Sequence, residues 1–375
     1  TKIMTALLTL EQPDQDRYFT VDSDAIQVEG TTMGLQPGDS VTLHQLAAGM
    51  LLPSGNDAAN AAAVEIAGSE EAFVRLMNQR AAELGLENTQ YRNPSGLDAE
   101  GHYSSARDLA TLAAHALENE DFADIVSKQE IRMAFGNPPY NRSLYTTNKL
   151  MERYPYAIGV KTGYTDEAGR CLLASAIKDG RRLISVVLGC TTKEVNGETR
   201  LMNFVDSATL LDWGYNNFTV QTVFTKDDLI QEIPVLLSKE TNAVLVHTAE
   251  DVNILLPNDV TTDMLERRVT VYGDTAFAPI EAGQELGEMT LSYDGYDYAT
   301  VKLLAADSVS VNRFLQGKYL LSQFFSKPLV KILTVVVILL VLAVVVWVRM
   351  LRPKSHYGSR GRRNRGTRNY RGRRR

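Results

Sequence analysis

The chain has 375 residues, of which 44% are hydrophobic, and this indicates a globular protein with room for two domains and further segments. Its formal net charge of −6 is unevenly distributed. Residues 349–375 contain 12 Lys or Arg and no Asp or Glu, so the first 348 residues carry a net charge of −18. An acidic body with a basic tail argues against a single environment for the whole chain.

The first 120 residues are predicted to be mostly helical. Apolar residues recur at helical spacing in four segments, which are Leu43–Leu52, Ala58–Ala67, Ala72–Leu84 and Ala106–Leu117. The printed sequence also opens at Thr1 inside an apolar helical pattern, where a native start rarely falls. We therefore expect a fragment of a longer chain, with any signal peptide upstream of Thr1.

Short strands replace the helical pattern from about residue 158 to residue 190. Cys171–Ile177 and Leu183–Leu188 are nearly continuous apolar runs, as expected for strands that are covered on both faces, and Asp179-Gly180 between them predicts a hairpin turn. A helix over about Met202–Trp213 follows. This order predicts an α+β domain over residues 1–216, in which helices pack against an antiparallel sheet.

The two cysteines, Cys171 and Cys190, flank this hairpin. A two-residue loop places Cys171 opposite Leu188, so that the cysteines are diagonal neighbours, which lie roughly 7–8 Å apart. That separation is long for a disulfide. Two free, buried thiols are therefore predicted, and the cysteines do not decide the redox compartment.

Residues 217–306 are predicted to form a second, β-rich domain, which we expect to be a small β-sandwich. Five segments have the composition of strands and are separated by polar or Gly-containing turns: Val220–Phe224, Ala243–His247, Val252–Leu256, Arg268–Tyr272 and Thr300–Leu304. Residues 307–328 are expected to be a linker between this domain and the apolar segment that follows.

Residues 329–348 are predicted to cross a membrane as one helix. Ile332–Val348 is a run of 17 residues without a charge, and with the apolar residues before Lys331 it reaches the length that a bilayer requires. A helix that is apolar on all sides at the end of a chain has no obvious core to enter. The basic residues of 349–375 place this tail in the cytoplasm by the positive-inside rule, and the acidic body outside.

The tail mixes Arg and Gly with Tyr357 and Tyr370, a composition that could bind nucleic acid. A disordered stop-transfer tail that lies on anionic membrane lipid explains the same composition. We favour the second interpretation, so membrane lipid is the expected partner and nucleic acid is not.

Three short elements carry the candidate chemistry. Thr1-Lys2 opens a helix, Ser54-Gly55-Asn56 lies in a loop between two helices, and Lys161-Thr162-Gly163 lies on a strand. Together they resemble the Ser-x-x-Lys, Ser-x-Asn and Lys-Thr-Gly elements of penicillin-binding enzymes. Longer stretches are similar to the low-molecular-weight D-alanyl-D-alanine carboxypeptidase family: Thr1–Leu8, Leu51–Ala59, Asn93–Leu97, Gly101–Asp108, Gly159–Thr165 and Leu210–Gly214.

The resemblance implies the penicillin-binding, β-lactamase-like transpeptidase fold and a serine hydrolase without a cofactor. In the family pattern the nucleophilic serine stands three residues before the lysine, which is two residues before Thr1 and outside the printed sequence. Lys2 matches the general base, and Lys161 and the start of the helix are expected to lower its pKa. Ser54 is implied to relay a proton to the leaving amine, and Asn56 to hold the substrate carbonyl and the lysine.

The third element is implied to bind the substrate. Lys161 and Thr162 would form a cationic, hydrogen-bonding edge for the terminal carboxylate of a D-Ala-D-Ala stem peptide or of a penicillin. Gly163 would let the substrate strand lie close to the backbone, and the N–H of Tyr164 would complete an oxyanion hole with that of the serine. Asp57 is expected to cap the helix that follows the second element.

One departure from the family pattern concerns the substrate carboxylate. Family members often carry an Arg seven residues before the Leu-Leu of the late helix, where this chain has Asn203. Arg200, one helical turn earlier, is the candidate replacement. His102 belongs to no metal-binding spacing and is expected to be a structural loop residue, so no metal site is predicted.

The sequence is therefore interpreted as a serine-type carboxypeptidase that removes the terminal D-Ala from peptidoglycan stem peptides and is acylated by β-lactams. Two alternatives stay open. A β-lactamase-like hydrolase is disfavoured by the second domain and the membrane helix, and a non-catalytic wall-binding scaffold by the intact site residues. We expect the enzyme on a bacterial cell membrane with its catalytic domain outside, where other cell-wall enzymes are candidate partners of the β-rich domain.

Overall fold

The polypeptide passes from a first unit into a second one, returns once, and then stays in the second. The two units are Thr1–Gln221 with Asn253–Met264, and Thr222–Val252 with the residues from Leu265 onward. The structure is a computed structural model and describes residues 1–226, 228–273 and 275–351. The first unit contains all three sequence elements that carry the candidate chemistry.

Every helix that the sequence predicts is present, with ends within a few residues of the predicted ones. In chain order the helices are α1 Lys2–Leu10, α2 Leu43–Leu51, α3 Asn56–Ala67, α4 Glu70–Glu83, α5 Ala106–Ala116, α6 Glu120–Ser127, α7 Leu150–Arg153, α8 Met202–Asn217, α9 Arg313–Ser326 and α10 Pro328–Leu351. The helices α6, α7 and α9 are additional to those that the sequence predicts.

The strands are more numerous than the sequence predicts. In chain order they are β1 Phe19–Thr20, β2 Ser40–Val41, β3 Glu130–Gly136, β4 Pro139–Tyr145, β5 Ala157–Thr165, β6 Gly169–Lys178, β7 Arg181–Cys190, β8 Thr192–Val195, β9 Glu198–Leu201, β10 Phe218–Phe224, β11 Leu229–Leu236, β12 Ala243–Thr248, β13 Val252–Pro257, β14 Glu266–Val271, β15 Ala276–Phe277, β16 Glu285–Tyr293 and β17 Tyr296–Ala305. The hairpin β3–β4 gives a weak sequence signal because it buries few large side chains, namely Phe135 and Leu144.

The main sheet of the first unit is antiparallel and has the order β5-β6-β7. Side chains alternate along β6: Leu173 packs with the cluster that α1 to α6 build, whereas Leu172 and Ala174 pack with Phe204 and Leu211 of α8. Both faces of the sheet are covered, which explains the nearly continuous apolar runs of β6 and β7. The predicted α+β arrangement is confirmed.

The helix α1 lies inside the other helices of this unit. Its residues are buried almost all round, and α2, α3, α5 and α6 pack around it. Two threonines take part in this burial without losing their hydrogen bonds: the hydroxyl of Thr5 donates to the carbonyl of Pro94 (2.7 Å), and that of Thr9 to the carbonyl of Thr5 (2.7 Å). A helix held on so many sides positions the side chains at its start.

The β6–β7 hairpin turns at Asp179-Gly180, as predicted, and both residues have positive φ (52° and 74°). The register is the predicted one as far as the pair of Leu172 and Val187. It then shifts by one residue, so that Arg170 faces Cys190. This irregularity lies at the end of the sheet that carries the cysteines.

The shift separates the two cysteines. Cys190 lies on the face that α8 covers, with its Sγ 3.7 Å from Oδ2 of Asp206, whereas Cys171 lines a cavity on the other face. The predicted position of Cys171 opposite Leu188 is therefore wrong. Both thiols are free, as predicted, but they are half-buried rather than buried.

The second unit contains a six-stranded sheet with the order β14-β16-β17-β12-β11-β15. Its neighbouring strands are antiparallel except β11 and β15, which are parallel. Buried and less buried residues alternate along β12, so one face of the sheet is covered. The β-rich second domain is confirmed, and β11 is a strand that the sequence does not predict.

The segment expected to be a linker contains α9. The side chain of Asn312 caps this helix by accepting the N–H of Leu315 (3.1 Å), and the ring of Tyr319 packs against Phe277 with 5.3 Å between centroids. Apolar residues at helical spacing are the signal for it: Leu315 and Tyr319 on one side, Phe314 and Leu321 on another. Residues 307–328 are therefore partly helical rather than a simple connection.

The predicted membrane helix corresponds to α10. Its 24 residues include an 18-residue window with a mean hydropathy of 3.3, and none of that window is buried in the structure. At about 1.5 Å per residue the helix spans about 36 Å, more than the roughly 30 Å of a bilayer's hydrocarbon core. The helix is long and apolar enough to cross a membrane. Residues 352–375, nearly all of the predicted basic tail, lie outside the described residues.

Two side chains of α4 give a test of where the stability of the first unit lies. Phe73 is fully buried, whereas Leu76, one turn away, is 40% exposed. Phe73→Ala is expected to lower the free energy of unfolding by about 3–5 kcal/mol, because it removes a ring from a packed core and leaves a cavity. Leu76→Ala is expected to change it by less than about 1 kcal/mol. Urea denaturation measures both, and equal losses would contradict this picture of the core.

Candidate active site

The three elements that are distant in sequence meet at one cavity of about 530 Å³. The start of α1, the turn between α2 and α3, and the strand β5 contribute to its wall. Seven of the predicted site residues line it: Lys2, Ser54, Asn56, Lys161, Thr162, Gly163 and Tyr164.

Lys2 is buried at the bottom of this arrangement, with 9% of its surface exposed. Its Nζ donates to Oδ1 of Asn56 and to the carbonyl oxygen of Ser95, both at 2.6 Å. Burial lowers the pKa of Lys2 to about 8, and the negative charge of Asp57 opposes this shift. The expected direction is correct, but the cause is different: burial dominates, rather than Lys161 and the start of the helix.

Lys161 is the second buried cation of the cavity, with 8% of its surface exposed. Burial lowers its pKa to about 7, and the charge of Lys2 acts in the same direction. Its Nζ donates to the carbonyl oxygen of Thr162 (2.9 Å). The positive charge of Lys2 therefore favours the neutral form of Lys161.

The turn before α3 holds Ser54 in an unusual backbone conformation. Its φ is 66°, in the left-handed region that few residues other than Gly, Asn and Asp adopt. The loop 29–35 fixes this turn: the hydroxyl of Thr31 donates to the carbonyl of Ser54 (2.6 Å), and the carbonyl of Thr31 accepts the N–H of Asn56 (2.7 Å). Strain of this kind persists only where the surroundings hold it, as they do here.

Asp57 does not act as the predicted helix cap. The N-cap residue of α3 is Gly55, which has no side chain, and Asp57 is the second residue of the helix. Its carboxylate accepts one N–H of the first turn, that of Ala58, and otherwise binds the backbone of residues 33–35. A carboxylate near the start of a helix can cap that helix or bind other backbone amides that the tertiary structure brings to it. The sequence pattern is the same for a cap and for such a tertiary contact.

The strand β5 lies at one end of the described strand order, with its outer edge towards the cavity. A Cβ added to Gly163 would meet the Cβ of Cys171 at 3.7 Å, an ordinary contact, so the fold itself does not require glycine there. The side chain of Tyr164 is 60% exposed, and the hydroxyl of Thr162 lies 2.5 Å from that of Thr147. A backbone edge without a covering side chain is suited to an extended peptide.

Arg200 is separated from these residues. It lies on β9, before α8 begins, so its expected place one helical turn before Asn203 is wrong. It is exposed and does not belong to the residues that line the cavity. The hairpin β8–β9 explains this, because strand geometry sends residue 200 in a direction that helical spacing does not predict.

His102 connects the wall of the cavity to α1. Its Nε2 lies 2.6 Å from the hydroxyl of Thr1, and its Nδ1 accepts the N–H of Arg92 (3.3 Å). These contacts place it next to Lys2 but leave it without a metal-ligand neighbour. In the described ranges of the chain no group of three His, Cys, Asp or Glu side chains could hold a metal ion.

Sequence reasoning missed three contributors to the site: the loop 29–35, the carbonyl of Ser95 and the hydroxyl of Thr147. The carbonyl of Ser95 and most contacts of the loop come from the backbone, which any residue supplies. The loop has a modest signal in Gly30, since a Cβ there would lie 2.9 Å from Nδ2 of Asn56, and a glycine permits that approach.

Family models cover both parts of the chain. Residues 1–192 match the model described as D-alanyl-D-alanine carboxypeptidase, and residues 218–311 match the C-terminal domain of penicillin-binding protein 5. The chain belongs to the D-alanyl-D-alanine carboxypeptidase family. The resemblance in sequence and the predicted fold class, a penicillin-binding domain followed by a β-rich domain, are confirmed.

Relatives and a solved structure extend the match over most of the chain. D-alanyl-D-alanine carboxypeptidase DacF of Bacillus subtilis is 35% identical over 321 residues, which cover 84% of this chain and 80% of that protein. DacC of Escherichia coli is 31% identical over 327 residues, with 84% and 78% covered. The crystal structure of penicillin-binding protein 5 from Haemophilus influenzae has a TM-score of 0.65 at 30% identity, with 82% and 89% covered. A hydrolase of the penicillin-binding class is thereby confirmed.

Gly55 gives a test of how tightly the turn of the site is packed. A Cβ at this position would lie 2.7 Å from Oδ1 of Asp57, 2.8 Å from the backbone N of Met33 and 3.0 Å from the carbonyl O of Gly49. Gly55→Ala is expected to destabilise the first unit by about 1–3 kcal/mol, because two of these neighbours are backbone atoms that cannot turn away. It should also slow the reaction with penicillin. Gly317→Ala on α9 is the control, since nothing lies within 4 Å of its added Cβ. Thermal unfolding compares the two, and a neutral Gly55→Ala would contradict the packing.

Proposed function

We propose that this chain is the catalytic and membrane-anchoring part of a serine-type D-Ala-D-Ala carboxypeptidase, which removes the terminal D-Ala from peptidoglycan stem peptides. The observation that carries the proposal is the hydrogen bond from Lys2 to Asn56 in the cavity that Lys161 also lines. Lysine is rarely buried, and two buried lysines in one cavity call for a chemical reason. A base and a carboxylate-binding cation are what cleavage beside a C-terminal carboxylate needs.

Lys2 is proposed to act as the general base. The family pattern places the nucleophilic serine two residues before Thr1, on the same face of the helix as Lys2 and one turn away. Lys2 takes the proton of that hydroxyl while the serine oxygen attacks the carbonyl carbon of the penultimate D-Ala. With a pKa of about 8, roughly one Lys2 in ten is neutral at pH 7, against fewer than about one in a thousand for a lysine in water.

Ser54 is proposed to pass a proton to the leaving amine, and Asn56 is proposed to hold the peptide carbonyl of the substrate. The proton passes through the hydroxyl of Ser54 to the amine of the terminal D-Ala, and the C–N bond breaks to leave an ester between the serine and the shortened peptide. The N–H of Tyr164, with that of the serine, stabilises the oxyanion. Water then attacks the ester carbonyl while Lys2 takes its proton, and this proton passes to the serine oxygen as the ester C–O bond breaks. The shortened peptide leaves, the serine is restored, and no step needs a cofactor.

Lys161 and Thr162 are proposed to bind the terminal carboxylate. An incoming carboxylate favours the ammonium form of Lys161. Because the pKa of Lys161 is low in the free cavity, a negatively charged ligand stabilises this ammonium form more than a neutral ligand does. The hydroxyl of Thr162, which Thr147 orients, donates to the same group. Gly163 leaves the edge of β5 open to the peptide. A β-lactam carries a carboxylate at a similar distance from its reactive carbonyl, so it would acylate the same serine. Arg200 is exposed on β9 and does not line the cavity, so the proposed contacts to the carboxylate come from β5.

The membrane helix and the charge distribution support a proposal for the cellular location. We propose that α10 anchors the chain in a bacterial cell membrane, with residues 1–327 outside and the basic residues 349–375 in the cytoplasm on anionic lipid. This orientation puts the cavity on the side where peptidoglycan lies. The β-rich domain then separates the catalytic unit from the anchor in sequence, and its surface is available to other cell-wall enzymes.

Substitution of Lys2 tests the proposed base. In the full-length protein, Lys2→Ala is expected to slow acylation by a fluorescent penicillin about 10²–10⁴-fold, because the serine loses its proton acceptor. Lys149→Ala, at an exposed lysine, is the matched control and should react like the wild type. Mapping of the labelled peptide should identify a serine two residues before Thr1. No labelling of the wild type would favour the scaffold alternative, and rapid release of hydrolysed penicillin would favour the β-lactamase alternative.

Limited proteolysis tests the proposed orientation. Protease added outside intact protoplasts should cut near Phe325 and release a soluble fragment that still reacts with penicillin. An epitope attached after Arg375 should stay protected until the membrane is opened. Digestion of the epitope in intact protoplasts would contradict a cytoplasmic tail.

A further inference from the structure

Asp57 is a buried acid beside the cavity that the proposed reaction does not use. Its side chain is 1% exposed. Oδ1 accepts the N–H of Met33 (2.8 Å) and of Ala58 (2.9 Å), and Oδ2 accepts those of Gly34 and Leu35 (both 3.0 Å). A buried carboxylate is costly unless it is compensated, and four backbone N–H groups donate hydrogen bonds to its two oxygens here.

These contacts reach the proposed catalytic groups through the loop 29–35. The carbonyl of Glu29 accepts a hydrogen bond from Nδ2 of Asn56 (2.6 Å). This orientation of the amide leaves Oδ1 of Asn56 free to accept a hydrogen bond from Nζ of Lys2. The same loop holds Ser54 through Thr31. A loop that Asp57 ties down at residues 33–35 therefore decides which way Asn56 presents its oxygen.

Asp57 also acts on Lys2 through its charge. The charged groups around Lys2 are Asp57 on α3 and Lys161 on β5, and His102 binds the neighbouring Thr1. Burial lowers the pKa of Lys2 and so weakens it as a base. Asp57 is the negative charge that acts in the opposite direction.

We propose that Asp57 is a positioning residue for Lys2: it holds the loop 29–35 against the turn of Ser54 and Asn56, and it supplies the negative charge that keeps Lys2 a strong base where it is buried. The inference rests on the proposed function, since it takes Lys2 as the base. The rate that a general base supports depends on the fraction that is neutral at the operating pH and on how strongly the neutral form binds the proton, and the charge of Asp57 raises the second quantity.

The sign of the effect follows from the charge. The negative charge of Asp57 favours the ammonium form of Lys2 and raises its pKa. Removal of that charge lowers the pKa of Lys2, so the neutral form persists to lower pH. The rate of acylation, which rises with pH as Lys2 loses its proton, should then begin to rise at lower pH, while its plateau falls because the base is weaker and less well placed.

The test is the pH dependence of acylation by a chromogenic penicillin in the full-length protein. The wild type should show an acid limb near pH 8. Asp57→Asn and Asp57→Ser, which both remove the charge, should move this limb down by about one pH unit and lower the plateau. Asp57→Glu keeps the charge on a longer side chain, so it should lower the plateau and leave the limb near that of the wild type.

Each other outcome is decisive. If the limb stays in place in both neutral variants while the plateau falls, Asp57 has a structural role only and the proposal is overturned. The same conclusion follows if neither neutral variant folds while Asp57→Glu does. A wild type that penicillin does not acylate at any pH would instead refute the proposed function, which separates the two failures.

Discussion

The burial of Lys2 is the constraint on which the rest of the catalytic unit depends. The ammonium group of Lys2 loses much of its hydration in this place, and this loss is offset because Oδ1 of Asn56 and the carbonyl oxygen of Ser95 accept hydrogen bonds from it. Those acceptors come from positions 54 and 93 residues further along the chain. The helix that carries Lys2 must therefore be enclosed by the others, and α2, α3, α5 and α6 pack around it for this reason.

The second consequence of this burial is electrostatic. Lys2 and Lys161 share one cavity, and their pKa values fall to about 8 and about 7. In the proposed reaction Lys2 accepts a proton and Lys161 holds a carboxylate, although both residues are lysines. In the proposed reaction the substrate carboxylate brings Lys161 its counter-charge, whereas Asp57 is the negative charge that acts on Lys2. One residue type thus serves two purposes because the protein arranges different anions around it.

The membrane segment is subject to a different constraint. In the first unit, apolar side chains are hidden from water by packing on both faces of a sheet, as Leu172 and Leu173 are. In α10, no residue of the most apolar window is covered by protein, so lipid is the solvent that its side chains suit. In the proposed orientation the acidic body and the basic end of the chain lie on opposite sides of that barrier. Catalysis and anchoring therefore reside in segments that share no packing requirement.

Much of this protein could be predicted from its sequence, because the relevant signals are local. Periodicity identifies α2 to α5 and α8, Asp179-Gly180 identifies the hairpin turn, and the uncharged run up to Val348 identifies α10. The motif residues from Lys2 to Tyr164 indicate the chemistry, since their types and order are unusual together. Signals that depend on few buried side chains, such as the hairpin β3–β4, are too weak to be read this way.

The tertiary structure decided what local signals cannot contain. Asp57 looks like a helix cap in sequence, but the amides of residues 33–35 come within 3.0 Å and take its carboxylate instead. Arg200 looks like part of a helix, but it lies on β9, which ends at Leu201, and it does not line the cavity. A one-residue shift in strand register places the two cysteines on opposite faces. In each case a residue's partner is set by which distant backbone arrives beside it, and that follows from the packing of the whole unit rather than from its neighbours in sequence.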